Sequence, residues 1–274
     1  MEVSLVGLGL GAVVGLVLAL AGAGGGILAV PLLVFGLRLT IVQAAPVGLI
    51  AVGAASALGA ALGLREGLVR YRAAALIGIT GMVSAPVGLW LARLVPNAPL
   101  MVGFSIVLAW VSTRMFIQAR RMASGQAQSP HAHAQLPCVF DPREGRLIWT
   151  MPCAWALTAT GALSGVLSGL LGVGGGFVIV PSLSHYTNLS VRSIFATSLA
   201  VIALVCLGAV TAAAWQASIA WAVALPFAIG AVAALLAGRL VAARLAGARL
   251  QQGFAMTGGA VAILLFTRGM GWIS

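Results

Sequence analysis

The chain has no lysine and only four acidic residues, against fifteen arginines, in 274 residues. Charged side chains make up 7% of it, whereas a soluble globular protein carries roughly 25%. That scarcity excludes a water-facing surface of ordinary size. With 61% of its residues hydrophobic, the chain is expected to be an integral membrane protein. The four acids are Glu2, Glu66, Asp141 and Glu144, and none lies inside a long apolar run. Proton pumps and many coupled carriers keep carboxylates within the bilayer, so that device is missing here. A carboxylate site for divalent cations is missing for the same reason. Cysteine is scarce too. Cys138, Cys153 and Cys206 are odd in number, widely spaced and without a C-x-x-C pair, which argues against a disulfide framework or a zinc site. With no H-E-x-x-H and no intramembrane acid, neither an enzyme nor a cofactor is expected.

What is present is apolar length. Four apolar runs stand in the first half, at 3–37, 42–64, 73–94 and 99–117. Four more follow at 153–187, 192–214, 222–244 and 250–267. Runs of about 20 apolar residues span a bilayer as helices. The halves align without a gap at an offset of 150. GAGGGILAVP at 22–31 matches GVGGGFVIVP at 172–181, Gly88 matches Gly238, and Gly103-Phe104 matches Gly253-Phe254. Clustered glycines at a constant offset read as an internal duplication. The fold expected is all-α and polytopic, with two homologous repeats of about four hydrophobic segments. The domains are 1–119, a polar cytoplasmic linker at 120–148, and 149–274. The linker holds Asp141, Glu144 and the pair His131 and His133; that pair reads as loop composition, and no metal is expected.

The first run of each half is too long. As one helix, residues 3–37 would measure about 52 Å against a hydrocarbon core of about 30 Å. The cheapest place to break is the glycine cluster. A break leaves amide N–H groups open at the start of the next half-helix, and in lipid those must face protein or a wet cavity. Such amides, with the helix dipole, suit an anion, and glycine lets it approach the backbone. Paired interrupted segments in two repeats point to a transporter's substrate site. The competing reading is close helix packing on small residues. Gly175→Val is the variant suggested for separating the two.

The duplicated GxGGGxxxVP pattern, with A-T-S-L at 196–199 after the second copy, resembles the TauE/SafE family of sulfite exporter-like permeases. The resemblance covers nearly all of the chain outside the linker. It implies export or exchange of a small sulfur-containing or organic anion, such as sulfite, sulfoacetate or a related sulfonate, across a bacterial inner membrane. The substrate-binding residues expected on that basis are Gly24, Gly25, Gly26 and Pro31 in the first half, and Gly174, Gly175, Gly176, Pro181, Thr197 and Ser198 in the second. Gln43 and Ser193, at equivalent positions, are added as donors. The first half reads Pro46-Val47-Gly48-Leu49 where the second reads A-T-S-L, so a lopsided pocket is expected. Thr40 and Ser190 read as N-caps.

Arginine sets the orientation. Residues 65–72 hold three arginines and their counterpart 215–222 none, while 93–99 hold one and 239–249 three. Inverted repeats would put both rich loops and the linker in the cytoplasm, with the termini outside. Inversion needs an odd number of crossings per repeat, and a broken first segment folded as a hairpin of two short helices would supply it. Eight simple spans in parallel repeats are the alternative. A net charge of +11 is explained by this topology, so no nucleic acid partner is expected. The partners expected are a small anionic substrate and the lipid bilayer, with a second copy of the chain, as a homodimer, also admitted. A passive channel and a membrane scaffold remain alternative functions.

Overall fold

The structure, a computed structural model, describes residues 2–21, 26–123, 138, 140–141, 146–147, 150–187, 189–215, 219–245 and 248–270. The chain forms ten helices among these residues: α1 (Glu2–Ala21), α2 (Ala29–Leu37), α3 (Ile41–Arg65), α4 (Tyr71–Leu94), α5 (Asn97–Ala123), α6 (Met151–Leu171), α7 (Gly176–Tyr186), α8 (Val191–Trp215), α9 (Trp221–Leu245) and α10 (Ala248–Gly269). A two-residue pair, β1 (Phe140–Asp141) and β2 (Arg146–Leu147), lies in the linker. Five helices are long and apolar enough to cross a membrane by themselves: α3, α4, α6, α8 and α9. The protein is therefore a multi-pass helical membrane protein. The apolar runs of the sequence coincide with the helices from α3 onward to within a turn, except that α5 continues to Ala123, inside the expected linker.

Both overlong runs are interrupted. α6 stops at Leu171 and α7 starts at Gly176, with positive φ at Gly172, Gly174 and Gly175 (72°, 78° and 72°). An L side chain is strained in that conformation, which is why the run of glycines sits there. α1 stops at Ala21 and α2 starts at Ala29; Gly22, Gly24 and Gly25 lie outside the described residues. Each half-helix turns back along the helix before it. Gly36 packs on Leu10, and the Ser164 hydroxyl donates to the Gly175 carbonyl at 3.2 Å. Pro31 falls in the first turn of α2, where no amide bond is lost, whereas Pro181 is interior to α7 and removes one.

The caps follow the sequence. Thr40 forms a capping box with Gln43, and the Ser190 hydroxyl accepts from the Ser193 N–H at 3.3 Å.

Helix pairing exchanges equivalent elements between the halves. α1 packs on α9 as α6 packs on α4. A Cβ added to Gly11 would lie 3.0 Å from the Phe227 Cα, and one added to Gly161 would lie 3.0 Å from the Ile77 Cα. These two contacts are each other's image at the offset of 150. Gly15 on Ala231 and Gly165 on Gly81 repeat the correspondence, at 2.8 and 2.7 Å. Backbone meets backbone here, which is how small residues hold helices together in lipid.

α3 and α8, themselves equivalents, cross antiparallel: Gly53 faces Cys206, Gly59 faces Leu199, and Gly63 faces Ala196. α5 and α10 also run antiparallel, with Gly258 on Ser112 and Gly269 on Ala98 and Met101. Two ends result. The linker end gathers the 66–70 turn, the start of α8, the end of α9 and Cys138. There Ser193 donates to the Leu68 carbonyl (2.7 Å) and Arg239 pairs with Glu66 (3.1 Å). The far end gathers Arg38, Arg93 and Arg268; the Ile41 N–H donates to the Asn97 side chain there at 3.3 Å, and Arg268 lies over the Phe35 ring at 5.9 Å.

One expectation is overturned. Cys138 and Cys153 form a disulfide, with their Cα atoms 5.0 Å apart. Cysteine number and spacing did not reveal it, because the linker folds back on the start of α6 so that Cys138 pairs with Thr187 as an isolated bridge.

Replacing Gly165 by leucine drives a side chain into the Gly81 backbone, at a cost of about 3 kcal/mol or more. We expect that variant to be lost from the folded fraction on size-exclusion chromatography in detergent. Gly103→Leu, at a position with nothing within 4 Å, should fold like the parent.

Candidate substrate site at the hairpin tips

The glycine tips meet between α3 and α8. A Cβ on Gly26 would lie 3.0 Å from the Val173 carbonyl oxygen and 3.1 Å from Val52. One on Gly48 would lie 3.3 Å from the Gly172 carbonyl oxygen. One on Gly174 would touch Val52, Ile202 and Cys206, at 3.0, 3.1 and 3.4 Å. Since Gly53 faces Cys206 where α3 and α8 cross, the second tip sits beside that crossing, far from either helix end. Glycine at 26 and 48 is therefore required by approach of the opposite tip rather than by backbone conformation.

Residues 172 to 177 are all buried. The Gly172 N–H donates to Ser168, and the N–H groups of Val178 and Ile179 donate to Gly175. Between them, the amides of Gly174, Gly175, Gly176 and Phe177 form no hydrogen bond to any described residue. Close by in the chain and on the two crossing helices stand three serines, Ser168 on α6, Ser198 on α8 and Ser56 on α3. Each is 0% exposed, and each hydroxyl lacks a partner among the described residues. A buried hydroxyl without a partner costs about 1–3 kcal/mol, and buried amides cost comparably. The amides can only donate, and the hydroxyls can donate as well as accept. An anion, which only accepts, would satisfy them together.

The other expected donors are already engaged. The Thr197 hydroxyl accepts from the Arg70 N–H at 3.1 Å, and the Ser193 hydroxyl is bound to Leu68. Both fasten the 66–70 turn to the start of α8. Gln43 is exposed and spends its side chain on the Thr40 N–H at 3.2 Å, at the far end. Gly174, Gly175, Gly176 and Gly26 are brought to the tips, and Ser198 lies one helical turn from Ile202, which Gly174 faces, while Gly24 and Gly25 lie outside the described residues. Pro31 is buried behind Gly26, and Pro181 is half-buried in the middle of α7. Arg38 and Arg192 are exposed at helix ends, and exposed Arg114 lies over the Trp110 ring at 5.1 Å, so none of the three points at the tips. His185 is exposed beside Tyr186, with ring centroids 5.3 Å apart. His131 and His133 lie outside the described residues.

Sequence reasoning missed Ser56, Ser164 and Ser168. Thr160, Ser164 and Ser168 recur every four residues within an apolar run, which aims one polar stripe of α6 inward. Gly175→Val does not separate packing from binding, because a Cβ there runs into the Ser164 hydroxyl.

The family model for sulfite exporter TauE/SafE matches residues 7–265. Two proteins of Xylella fastidiosa, from strains 9a5c and Temecula1, each named "Probable membrane transporter protein", are 28% identical to this chain. Each alignment covers 96% of the chain and 95% of the relative. No solved structure matches.

Because their hydroxyls have no partner to lose, Ser168→Ala and Ser198→Ala should leave thermal unfolding in detergent unchanged or slightly raised. Thr197→Val, which strips the acceptor from the Arg70 N–H, should lower stability by about 1 kcal/mol. The opposite order of stabilities would reverse the division between free and fastening hydroxyls.

Proposed function

The chain belongs to the sulfite exporter TauE/SafE family, and we propose that it exports a small sulfur-containing or organic anion from the bacterial cytoplasm. Sulfite, sulfoacetate and related sulfonates are the substrates in view. It is a membrane transporter and not an enzyme; the finer reading of substrate and direction is carried by one observation. The buried amides of the 174–177 turn, and the buried hydroxyls of Ser56, Ser168 and Ser198 on the helices packed around it, have no partner among the described residues. A tetrahedral or pyramidal oxyanion supplies several acceptors at once, and a preformed set of donors favours it over a neutral solute.

The orientation proposed is an inverted pair of repeats in the inner membrane, with the linker end in the cytoplasm and the termini outside. Antiparallel crossing of the equivalent helices α3 and α8 supports it, since two-fold axes along the membrane normal would make them parallel. So does arginine. Arg65, Arg70, Arg72, Arg120, Arg192 and Arg239 belong to the linker end, against Arg38, Arg93 and Arg268 at the other. An anion leaving a negatively charged interior gains about 2.3 kcal/mol per charge per 100 mV. Export therefore runs without a coupling ion, in keeping with spans that hold no carboxylate. Alternating exposure would come from one repeat, with its hairpin, rocking about the α3–α8 crossing.

Proteoliposomes carrying the full chain test this. Labelled sulfite or sulfoacetate should enter faster when the same anion is loaded inside, and Ser168→Ala and Ser198→Ala should each slow that exchange about tenfold, the rate equivalent of about 1.4 kcal/mol. Flux that does not saturate and shows no trans-stimulation would identify a passive channel. Exchange of taurine or of carboxylates, but of neither sulfite nor sulfoacetate, would remove the substrate assignment.

A further inference from the structure

The linker is fastened to the bundle at Cys138. This residue is fully buried, its N–H donates to the Tyr186 carbonyl at 3.2 Å, and it bridges to Thr187. Its sulfur is bonded to that of Cys153 in the first turn of α6. Tyr186 ends α7. One linker residue thus clasps the entry and the exit of the α6–α7 hairpin, whose tip carries the open amides. The first half has no such clasp in its sequence: the position equivalent to Cys153 is Val3.

The clasp belongs to the arginine-rich end. On the orientation proposed above, on which this step rests, that end faces the cytoplasm. Glutathione and thioredoxin keep cytosolic thiols reduced, and the disulfides that do form there are usually transient. A disulfide that ties down one of two otherwise equivalent hairpins, in that compartment, has the position of a control point.

We propose that Cys138 and Cys153 are a reversible thiol–disulfide modification site that sets the mobility of the α6–α7 hairpin. The oxidant is a low-molecular-weight disulfide such as oxidised glutathione. One cysteine thiolate attacks it, forming a mixed disulfide and releasing one thiol. The other thiolate then attacks the protein sulfur of the mixed disulfide, closing the Cys138–Cys153 bond and releasing the second thiol. Two electrons pass from the cysteine pair to the oxidant, and the two cysteine protons end on the released thiols. Excess reduced glutathione reverses both steps. Because both sulfurs are buried, exchange waits on the clasp lifting, so the switch is slow. Oxidised, the end of α7 is held to the start of α6 and the tip stays between α3 and α8. Reduced, the clasp keeps only its backbone bridge to the end of α7, and α7 is released.

Everted membrane vesicles holding the full chain, equilibrated in glutathione buffers from reducing to oxidising, provide the test. Denaturation and alkylation with a polyethylene-glycol maleimide count free thiols. We expect three adducts under reducing poise and one under oxidising poise, Cys206 being the constant one. One adduct throughout would make the bond a permanent structural link, and three throughout would mean that it never forms; either result overturns the proposal. Hydrogen exchange of residues 176–187 should be at least fivefold faster in the reduced protein, and equal rates would overturn the mobility claim. Sulfoacetate, which does not cleave disulfides as sulfite does, is the transport probe. Its exchange should be several-fold slower in the oxidised protein and indifferent to poise in Cys138→Ser; poise-independent flux in the parent chain overturns the control role. Absence of sulfoacetate flux at both poises would strike the substrate reading while the thiol count and hydrogen exchange still decide the switch. An impermeant maleimide that reaches the reduced pair from the outer face of intact cells would reject the orientation and the switch with it.

Discussion

Every feature of this molecule is subordinate to one constraint: a peptide N–H placed at depth in a bilayer must find an acceptor. Helices meet that demand internally, which is why the described chain is helix almost throughout. Among the described residues the exception is the turn at 172–175, which abandons helical bonding beside the crossing of two central helices. Such a turn is tolerable only where protein surrounds it. α3, α6 and α8 do so, with Val52, Ser164, Ile202 and Cys206 against the glycines. The fold is in this sense an apparatus for keeping lipid away from a few open amides. The anion reading rests on the open amides of that turn, which can only donate, with serine hydroxyls that can donate beside them.

Keeping two hairpins in register at mid-depth requires helices that cannot slide. The glycine contacts of α1 on α9 and α6 on α4 supply this, because each brings backbone within van der Waals reach of backbone. They also link the halves crosswise: the first hairpin is braced by a helix of the second half, and the second by a helix of the first. Each hairpin is thus tied by backbone contact to a helix of the opposite half.

Much of this was legible in the sequence. Apolar runs gave the helices, the 150-residue offset named which helices are equivalent though not how they pack, and run length together with GGG gave the break. Thr40 and Ser190 announced their caps. The site was only half legible. Thr197 and Ser193 have the right chemistry, but their hydroxyls are taken by the 66–70 turn, a contact 125 residues or more away in the chain that no local pattern encodes. Gln43 was misleading for a local reason, since the capping box claims it. The disulfide was invisible because spacing says nothing about a linker's return path. Ser164 and Ser168 stand out as a four-residue period, but a polar stripe on an apolar helix does not by itself say what it faces.

The two tips are not chemically equal, and the difference has a direction. Ser164, Ser168 and Ser198 of the second half are Val14, Leu18 and Gly48 in the first; only Ser56, the counterpart of Cys206, runs the other way. Duplication thus left a polar hairpin facing an apolar one. A symmetric donor set would hold an anion equally from both sides and resist release, since binding that is equally good in every state deepens the well without lowering the barrier. On the function proposed above, the second repeat would hold the anion and the apolar first hairpin would form the opposing wall. The linker clasp closes on the polar hairpin.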